Sequence, residues 1–538
     1  SARTRNCNPL HFFTNKSLLL AFAFVAETID GPRRQGAPQQ KMSVEMSSSR
    51  LVSDGIACGD VVAREESGNA LTVDEMLSLH VGENGPAQIR HFLIASGAWV
   101  PAVFLTLMSV FTARVPKWQC STPEGCKDDI GNLKDICSLG LDEWEWLSKT
   151  ASIVSEWNLI CDDEWKVSAA DSMFFAGFFF GAGMLGQLAD IRGRWAALYV
   201  SFIFGGVAAT LSAVSFEYWQ YLMCKFVLGF GCGGIGVASF VLSTEPLGAK
   251  WRAVLGIATQ YWWAAGICLM SGVASILTEW RVFSAFVVIS TLAYCGASAP
   301  LLKESPRWLL ISGNPEKARE VLTSMAKENR QDIPEDGLPP LKQPASTKTV
   351  SIGSLFPYPA LRRRLFAMSF IFVANSMVYY GLSLNVGSLG GSIYLNSFLS
   401  GLVEMPSYAF AQFSVEFFGR KRTLIFLNAM AGTGCLLSAF VTGKAQTAVA
   451  LIGRFGIAAS FNMIFLYTTE LFPTVVRSAA LGTCSLVARI GGIAAPQVLS
   501  WRMILKAQQN RHPQRVLLAS SCVLGSVLSI MMTTTTTT

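Results

Sequence analysis

The sequence predicts an all-α membrane protein whose twelve helices form two six-helix halves. Composition is the first of three observations behind that expectation. Of 538 residues, 51% are hydrophobic and only 15% charged, whereas soluble chains carry about a quarter charged residues. That is too little charge to clothe a water-facing surface, which sets aside a soluble multidomain enzyme. The second observation is a series of apolar runs about 20 residues long, the length a helix needs to cross a ~30 Å hydrocarbon core. The third is a set of polar motifs that occurs twice at nearly one spacing.

In chain order, residues 1–91 are expected to be a cytoplasmic N-terminal segment. Within it SLLLAFAFVA (17–26) is too short to span and resembles a signal-peptide core; the plainer expectation is that residues 1–41 are an extension and that Met42 or Met46 begins the natural chain. Runs at 92–112, 169–189, 195–215, 218–243, 254–277 and 283–302 form the first half, 92–302. The loop 114–168 is acid-rich and holds Cys120, Cys126, Cys137 and Cys161. Four cysteines in a non-cytosolic loop predict two disulfides, with three connectivities open.

A polar linker, 303–364, joins the halves. In it Asn314-Pro315 reads as a cap and first-turn pair, and Ala318, Val321, Leu322 and Met325 form a helical apolar stripe. The second half, 365–538, holds runs at 365–385, 391–413, 423–441, 446–468, 479–499 and 516–532. Its end, 500–538, is atypical: Arg502, Lys506, Arg511 and Arg515 fall outside, and the chain closes on TTTTTT. A disrupted end, with an uncertain twelfth helix, is the expectation there. Orientation follows from Arg192, Arg194, Lys250, Arg252, Arg420 to Arg422, Arg477 and the linker cations, which share one side if the helices alternate. That side is expected to be cytoplasmic, with both termini on it and loop 114–168 outside.

The repeat explains the twofold division. GQLADIRGRW (186–195) and VEFFGRKR (415–422) pair Asp190 with Glu416, Gly193 with Gly419 and Arg194 with Arg420 at a shift of 226. STEPLGAKWR (243–252) and TTELFPTVVR (468–477) pair Glu245 with Glu470 and Arg252 with Arg477 at a shift of 225. KFVLGFGCGG (225–234) faces GRFGIAASF (453–461), each opening with a cation. Parallel repeats of this kind place a substrate site between the halves, with access alternating as they rock. The paired acids and bases are expected to form a cytoplasmic gate. Asp190 and Glu416 are candidate partners for Arg252, Arg477, Arg194 and Arg420, and Glu245 and Glu470 join the network; charge that merely sets topology is the plainer alternative. Each exposed pair is weak, about 0–1 kcal/mol. Gly193 and Gly419 let the loops turn tightly.

Asp190-Ile191-Arg192-Gly193-Arg194 and its echo resemble the signature loop of the major facilitator superfamily. EWNLIC (156–161), ESPRWLL (304–310), YYGLSL (379–384) and FNMIFLYTTELFPTVVR (461–477) resemble the organic cation/anion/carnitine transporters. LTVDEMLSLHVGENG, before the first helix, is most similar to their plant organic cation/carnitine members. The resemblance covers roughly residues 71–499 and implies a twelve-helix major facilitator fold. Three features depart from it: Trp195 in the signature loop, Lys225 where Arg is usual, and no P-E-T motif after the last helix.

Ionisable residues inside spans are candidate functional groups, because each costs several kcal/mol unless it faces a cavity or a partner. Arg489, in SLVARIGGIAAP, suits a carboxylate held by two parallel hydrogen bonds. The resemblance implies Arg here in the anion and carnitine branches and Asp in the cation branch. Glu404, in GLVEMPSYAF, has three open readings: attracting a quaternary ammonium, binding a coupling cation, or neutralising Arg489. Together the two residues describe a zwitterion such as carnitine. Gln260, Tyr261, Trp262, Trp263, Tyr379, Tyr380 and Tyr408 are candidates for a trimethylammonium cage, at ~0.5–2 kcal/mol per ring, or for ordinary packing. The resemblance implies Lys at the Tyr408 position in the anion branch.

The expected function is a secondary-active or facilitative transporter of organic cations or zwitterions such as carnitine, working by alternating access. The alternatives are an organic anion carrier and an inactive or receptor-like product. No nucleophile–base pair or metal-ligand cluster appears in the spans, so no enzyme, metal or cofactor is expected. No GxxxxGK[ST] stretch provides for ATP. Sodium or a proton is the candidate coupling ion, with Glu404 and Asp171 as the available acids; His11, His80, His91 and His512 are read as lying outside the deep spans. The expected partners are a small organic cation or zwitterion and the lipid bilayer, not nucleic acid. A plasma or vacuolar membrane is the expected location.

Overall fold

The computed structural model describes residues 70–121, 136–140, 142–335, 337–343, 356–473 and 476–508. The apolar runs of the first half become α1 (Pro86–Thr112), α2 (Trp165–Arg192), α3 (Arg194–Ala213), α4 (Tyr218–Thr244), α5 (Ala249–Ile276) and α6 (Trp280–Ser298). Those of the second become α7 (Pro359–Leu384), α8 (Ile393–Phe418), α9 (Arg420–Phe440), α10 (Lys444–Leu471) and α11 (Arg477–Gln508). Nine of these are long and apolar enough to cross a membrane, among the described residues. The exceptions are polar for visible reasons: α8 buries Asn396, Ser397, Ser400 and Glu404, and α9 opens on Arg420-Lys421-Arg422. The predicted run 516–532 lies outside the described residues.

α1 starts at Pro86, earlier than the predicted 92, since a proline is at ease in a first helical turn. His91 therefore lies inside a spanning helix, 2% exposed, its Nε2 3.1 Å from the Leu242 carbonyl, contrary to the expectation that no histidine is deep.

Packing repeats as the motifs do. In the first half α4 packs on α2 and α3, and α1 on α5; in the second α10 packs on α8 and α9, and α7 on α11. The halves meet through α2 with α11 and α5 with α8, two contacts that a six-helix shift exchanges. Glycine makes the α2–α4 crossing close: a Cβ at Gly177 or Gly229 would overlap the facing carbonyl of Phe226 or Phe174.

One end of the bundle carries the cysteine loop. There β1 (Trp118–Cys120) pairs antiparallel with β2 (Trp144–Trp146), and Trp144 and Trp146 pack with Ile153, Tyr221 and Trp280. Cys137 and Cys161 form a disulfide, Cys120 is also disulfide-bonded, and Cys126 lies outside the described residues.

The opposite end carries the linker. Its helix Pro315–Glu328 buries Ala318, Leu322 and Met325, as the apolar stripe predicts. Asn314 holds the cap position, but its side chain donates to the Ser312 carbonyl at 3.4 Å instead of capping. Val73, Met76, Leu77 and Val81 pack onto this helix from the segment before α1. A Thr72–Glu75 capping box starts that segment, and Leu71 pairs in parallel with Leu341.

Candidate functional site

Glu404 is completely buried on α8, so its charge must be met inside the protein. Arg454 of α10, 3% exposed, closes an ion pair with it. The Tyr379 hydroxyl donates to one carboxylate oxygen at 3.0 Å and the Tyr408 hydroxyl to the other at 2.8 Å. Tyr408 reaches it because positions four apart share a helix face. The Trp263 indole N–H donates to the Tyr379 hydroxyl at 2.6 Å. Arg454 lies 4.0 Å from the centre of the Tyr379 ring and donates to the Tyr379 carbonyl at 3.0 Å and to the Ser383 hydroxyl. The neutralising partner of Glu404 is thus Arg454, and the alternative that Glu404 neutralises Arg489 does not hold. The reason is packing: α10 lies against α8, whereas α11 turns Arg489 toward the other half.

Arg489 sits where the halves meet. Its guanidinium lies 4.2 Å from the centre of the Phe178 ring of α2, and its Nη1 donates to the Tyr380 hydroxyl of α7 at 3.4 Å. Its Nε is buried without a partner, and no acid pairs with it among the described residues. Tyr380 also packs on Phe175 at 4.4 Å, and Tyr261 meets Tyr408 edge-on at 5.8 Å. Tyr261, Trp263, Tyr379, Tyr380, Tyr408, Glu404 and Arg489 therefore converge. Gln260 and Trp262 make no hydrogen bond or ring contact with this group among the described residues.

The paired loop charges pair within each half, in a pattern the sequence reading had only partly. Arg194 lies 3.4 Å from both Asp190 and Glu245; Arg420, its counterpart, lies 2.7 Å from Glu470. Gly193 and Gly419 take φ of +99° and +77°, left-handed values that glycine alone adopts without strain, and each separates two helices. Arg252 reaches neither Asp190 nor Glu416. It meets Asp74 at 3.0 Å, and Arg307 meets the same carboxylate at 2.6 Å. Glu416 and Arg477 enter no ion pair among the described residues. Glu304, unmarked by the sequence reading as a gate residue, accepts the backbone N–H groups of Arg194, Trp195 and Ser305 at 3.0, 3.1 and 2.9 Å. Burial pushes its carboxyl above the ordinary carboxylate range despite these donors.

The halves are tied at the cysteine-loop end. Arg114 donates to the Tyr394 hydroxyl and, at 2.8 Å, to the Thr278 carbonyl; Tyr394 stacks on Phe111 at 5.7 Å. Ser271 donates to Ser397 at 2.9 Å and Ser172 to the Ile493 carbonyl at 2.8 Å. No hydrogen bond or ion pair joins the halves at the linker end among the described residues.

The family described as sugar (and other) transporter matches residues 148–503. Organic cation/carnitine transporter 4 of Arabidopsis thaliana is 37% identical over 454 residues, covering 81% of this chain and 85% of its own length. The chain belongs to the organic cation/carnitine transporter family of the major facilitator superfamily. Solute carrier family 22 member 15-like of Xenopus tropicalis is 32% identical, covering 84% of the transporter and 92% of its own length. The inward-open xylose transporter XylE from E. coli superposes with a TM-score of 0.58 at 15% identity, over 82% of the transporter and 95% of XylE. That likeness shows the fold. The relatives are transporters, and this family member is a multi-pass membrane transporter, not an enzyme. Sequence reasoning missed two functional groups in the transporter. Arg454 stands in GRFGIAASF as the counterpart of Lys225, a repeat position that gives no sign of its partner Glu404. Asp74 carried no signal, since its partners lie 178 and 233 residues away.

Proposed function

We propose that the transporter carries small organic cations or zwitterions that bear a carboxylate, carnitine being the type, by alternating access between its halves. The observation that carries this reading is Arg489: a guanidinium between the halves, against the Phe178 ring and the Tyr380 hydroxyl, with no acid paired to it among the described residues. A substrate carboxylate would supply the missing charge and take two parallel N–H donors. The rings of Tyr261, Tyr380 and Tyr408 suit a trimethylammonium group. Glu404 then acts at one remove: the phenols that donate to it gain electron density, which strengthens their attraction for a cation. Positive loop charges support a cytoplasmic linker end and an outer cysteine loop.

The test is radiolabelled carnitine uptake by cells expressing the chain. R489Q is expected to lower carnitine uptake at least tenfold, about 1.4 kcal/mol, while a quaternary ammonium without a carboxylate enters as before. Equal carnitine uptake by both forms would overturn the assignment. A second reading, an organic anion carrier, gains from the cancellation of Glu404 by Arg454, which leaves the centre net positive. Competition by a simple monocarboxylate as strong as by carnitine would favour it.

A further inference from the structure

The two copies of the signature loop share a plan but are finished differently. In the first half the linker covers the copy at 186–195. Glu304 accepts the backbone N–H groups of Arg194 and Trp195, and the Trp308 indole N–H donates to the Asp190 carbonyl at 2.8 Å. Charge at that end of the first half is even. The stretches 70–90, 186–195, 245–252 and 303–343 hold twelve cations and twelve acids. At the same end of the second half, stretches 356–366, 415–422 and 468–477 hold seven cations, Arg362 to Arg364, Arg420 to Arg422 and Arg477, against two acids, Glu416 and Glu470. These stretches gather round the end of α10: Arg420 of α9 lies 2.7 Å from Glu470, and Arg364 of α7 donates to the Leu471 carbonyl at 3.4 Å. Beneath them Leu365, Val415, Leu424 and Phe472 share one apolar core. Arg362, Arg363 and Arg422 are exposed. So are the rings beside them in the chain, Phe366 at 60%, Phe417 at 66% and Phe418 at 65%. Phe366 meets Phe356 edge-on at 6.4 Å, and Phe417 lies 4.5 Å from Phe413, one turn deeper on α8. Where the second half has Phe417, Phe418, Lys421 and Arg422, the first has Ile191, Arg192, Trp195 and Ala196.

We propose that this face of the second half binds the acidic phospholipid headgroups of the leaflet it borders. Arg362, Arg363 and Arg422 meet the phosphates, and Phe366, Phe417 and Phe418 lie among the acyl chains just beneath. A guanidinium takes two phosphate oxygens through parallel N–H donors. A basic cluster at the end of a spanning helix gathers acidic lipid, and aromatic rings settle at the boundary between headgroup and chain. The order of residues on each helix fits that boundary. On α7 the arginines come first and Phe366 follows toward the membrane; on α8 and α9 the rings at 417 and 418 precede the cations at 420 to 422. Lipid fits this band better than an acidic protein segment, which would meet the cations but leave the rings unused. Charge that served only to set topology would need no rings either. On the sidedness proposed above, the leaflet is the cytoplasmic one, which is rich in acidic lipid. The inference does not depend on which substrate is carried.

Spin-labelled lipids test the face on the full chain, reconstituted in vesicles of phosphatidylcholine with a minor share of phosphatidylserine. Electron spin resonance separates lipid held at the protein surface from lipid moving freely. Spin-labelled phosphatidylserine is expected to be held severalfold more than spin-labelled phosphatidylcholine, and R362Q/R363Q/R422Q to remove most of that preference. R192Q/K250Q/K317Q takes the same charge from exposed positions of the first half and the linker, and is expected to keep the preference. Equal loss in the two triple variants overturns the assignment, because net charge alone would then set the preference. No preference in the unmodified chain also overturns it and leaves the face to topology or to an acidic protein partner. Salt provides a check that needs no variant: it is expected to weaken the preference of the unmodified chain, and a preference indifferent to salt overturns contact between charges.

Discussion

Glu404 and Arg454 show what a buried charge demands of its neighbours. Each is almost wholly removed from water, and the pair is held by groups from three helices: Tyr379 from α7, Tyr408 from α8 itself, and Trp263 through Tyr379 from α5. Removing one partner leaves the other charge buried and unpaired, which costs about 3–5 kcal/mol, whereas removing both is far milder. E404Q is therefore expected to lower the thermal stability of the purified transporter sharply. E404Q/R454Q should recover more than half of that loss in the same measurement, a non-additivity that only a direct interaction produces. Additive losses would show that the pair does not act as a unit. Arg489, by contrast, carries no such structural debt to an acid, which is why its substitution is expected to change uptake and leave stability nearly untouched.

Among elements, the segment before α1 does more than lead into the membrane. It lays Val73, Met76, Leu77 and Val81 on the linker helix and places Asp74 between Arg252, which ends the repeated motif of the first half, and Arg307 of the linker. Arg90 and Glu328 add a bidentate pair at 2.7 and 2.8 Å beside it. Arg307 holds the Asp74 carboxyl below its ordinary range, and Arg90 does the same for Glu328. A carboxyl depressed in the folded state stabilises above its unfolded value, and that contribution is lost as pH falls through the folded one. Hydrogen exchange of residues 73–81 is expected to quicken below about pH 4. D74N should exchange faster at neutral pH and lose much of the acid dependence. Exchange that ignores both changes would show that apolar packing alone docks the segment.

At the scale of the whole molecule, hydrogen bonds tie the two halves at the cysteine-loop end, and none does so at the linker end among the described residues. Arg114, just past α1, and Phe111 of α1 meet Tyr394 of α8 in the most polar of the ties, and the turn after α5 contributes the Thr278 carbonyl. Opening at the cysteine-loop end must break them. A cation–π contact with its hydrogen bond is worth about 1–2 kcal/mol, so R114A is expected to raise the open population roughly five- to thirtyfold. Maleimide labelling of a cysteine placed at Ala274, which lines the space beside Arg114 and Tyr394, reads this directly. An unchanged labelling rate in R114A would mean the tie lies elsewhere, with Ser271 and Ser397 next in line.

The sequence by itself determined the lipid-spanning class, the two halves and the loops that mirror each other, because these depend on local quantities. A run of apolar residues, a glycine that must turn and a cation that must stay out of lipid each act within a few residues of their own position. Gly193 and Gly419 were legible for that reason, and so were the stripe of the linker helix and the candidacy of Arg489 and Glu404 as charges inside spans. Only the tertiary structure decided who meets whom. Arg454 rather than Arg489 neutralises Glu404, Glu245 and Glu470 rather than the echoing Glu416 receive the loop arginines, and Asp74 takes Arg252, because partnership is set by which helix faces lie within a few ångströms. That distance follows from how the halves pack, through close glycine crossings and shared apolar faces, and it is a property of the assembled bundle, not of any one stretch of chain.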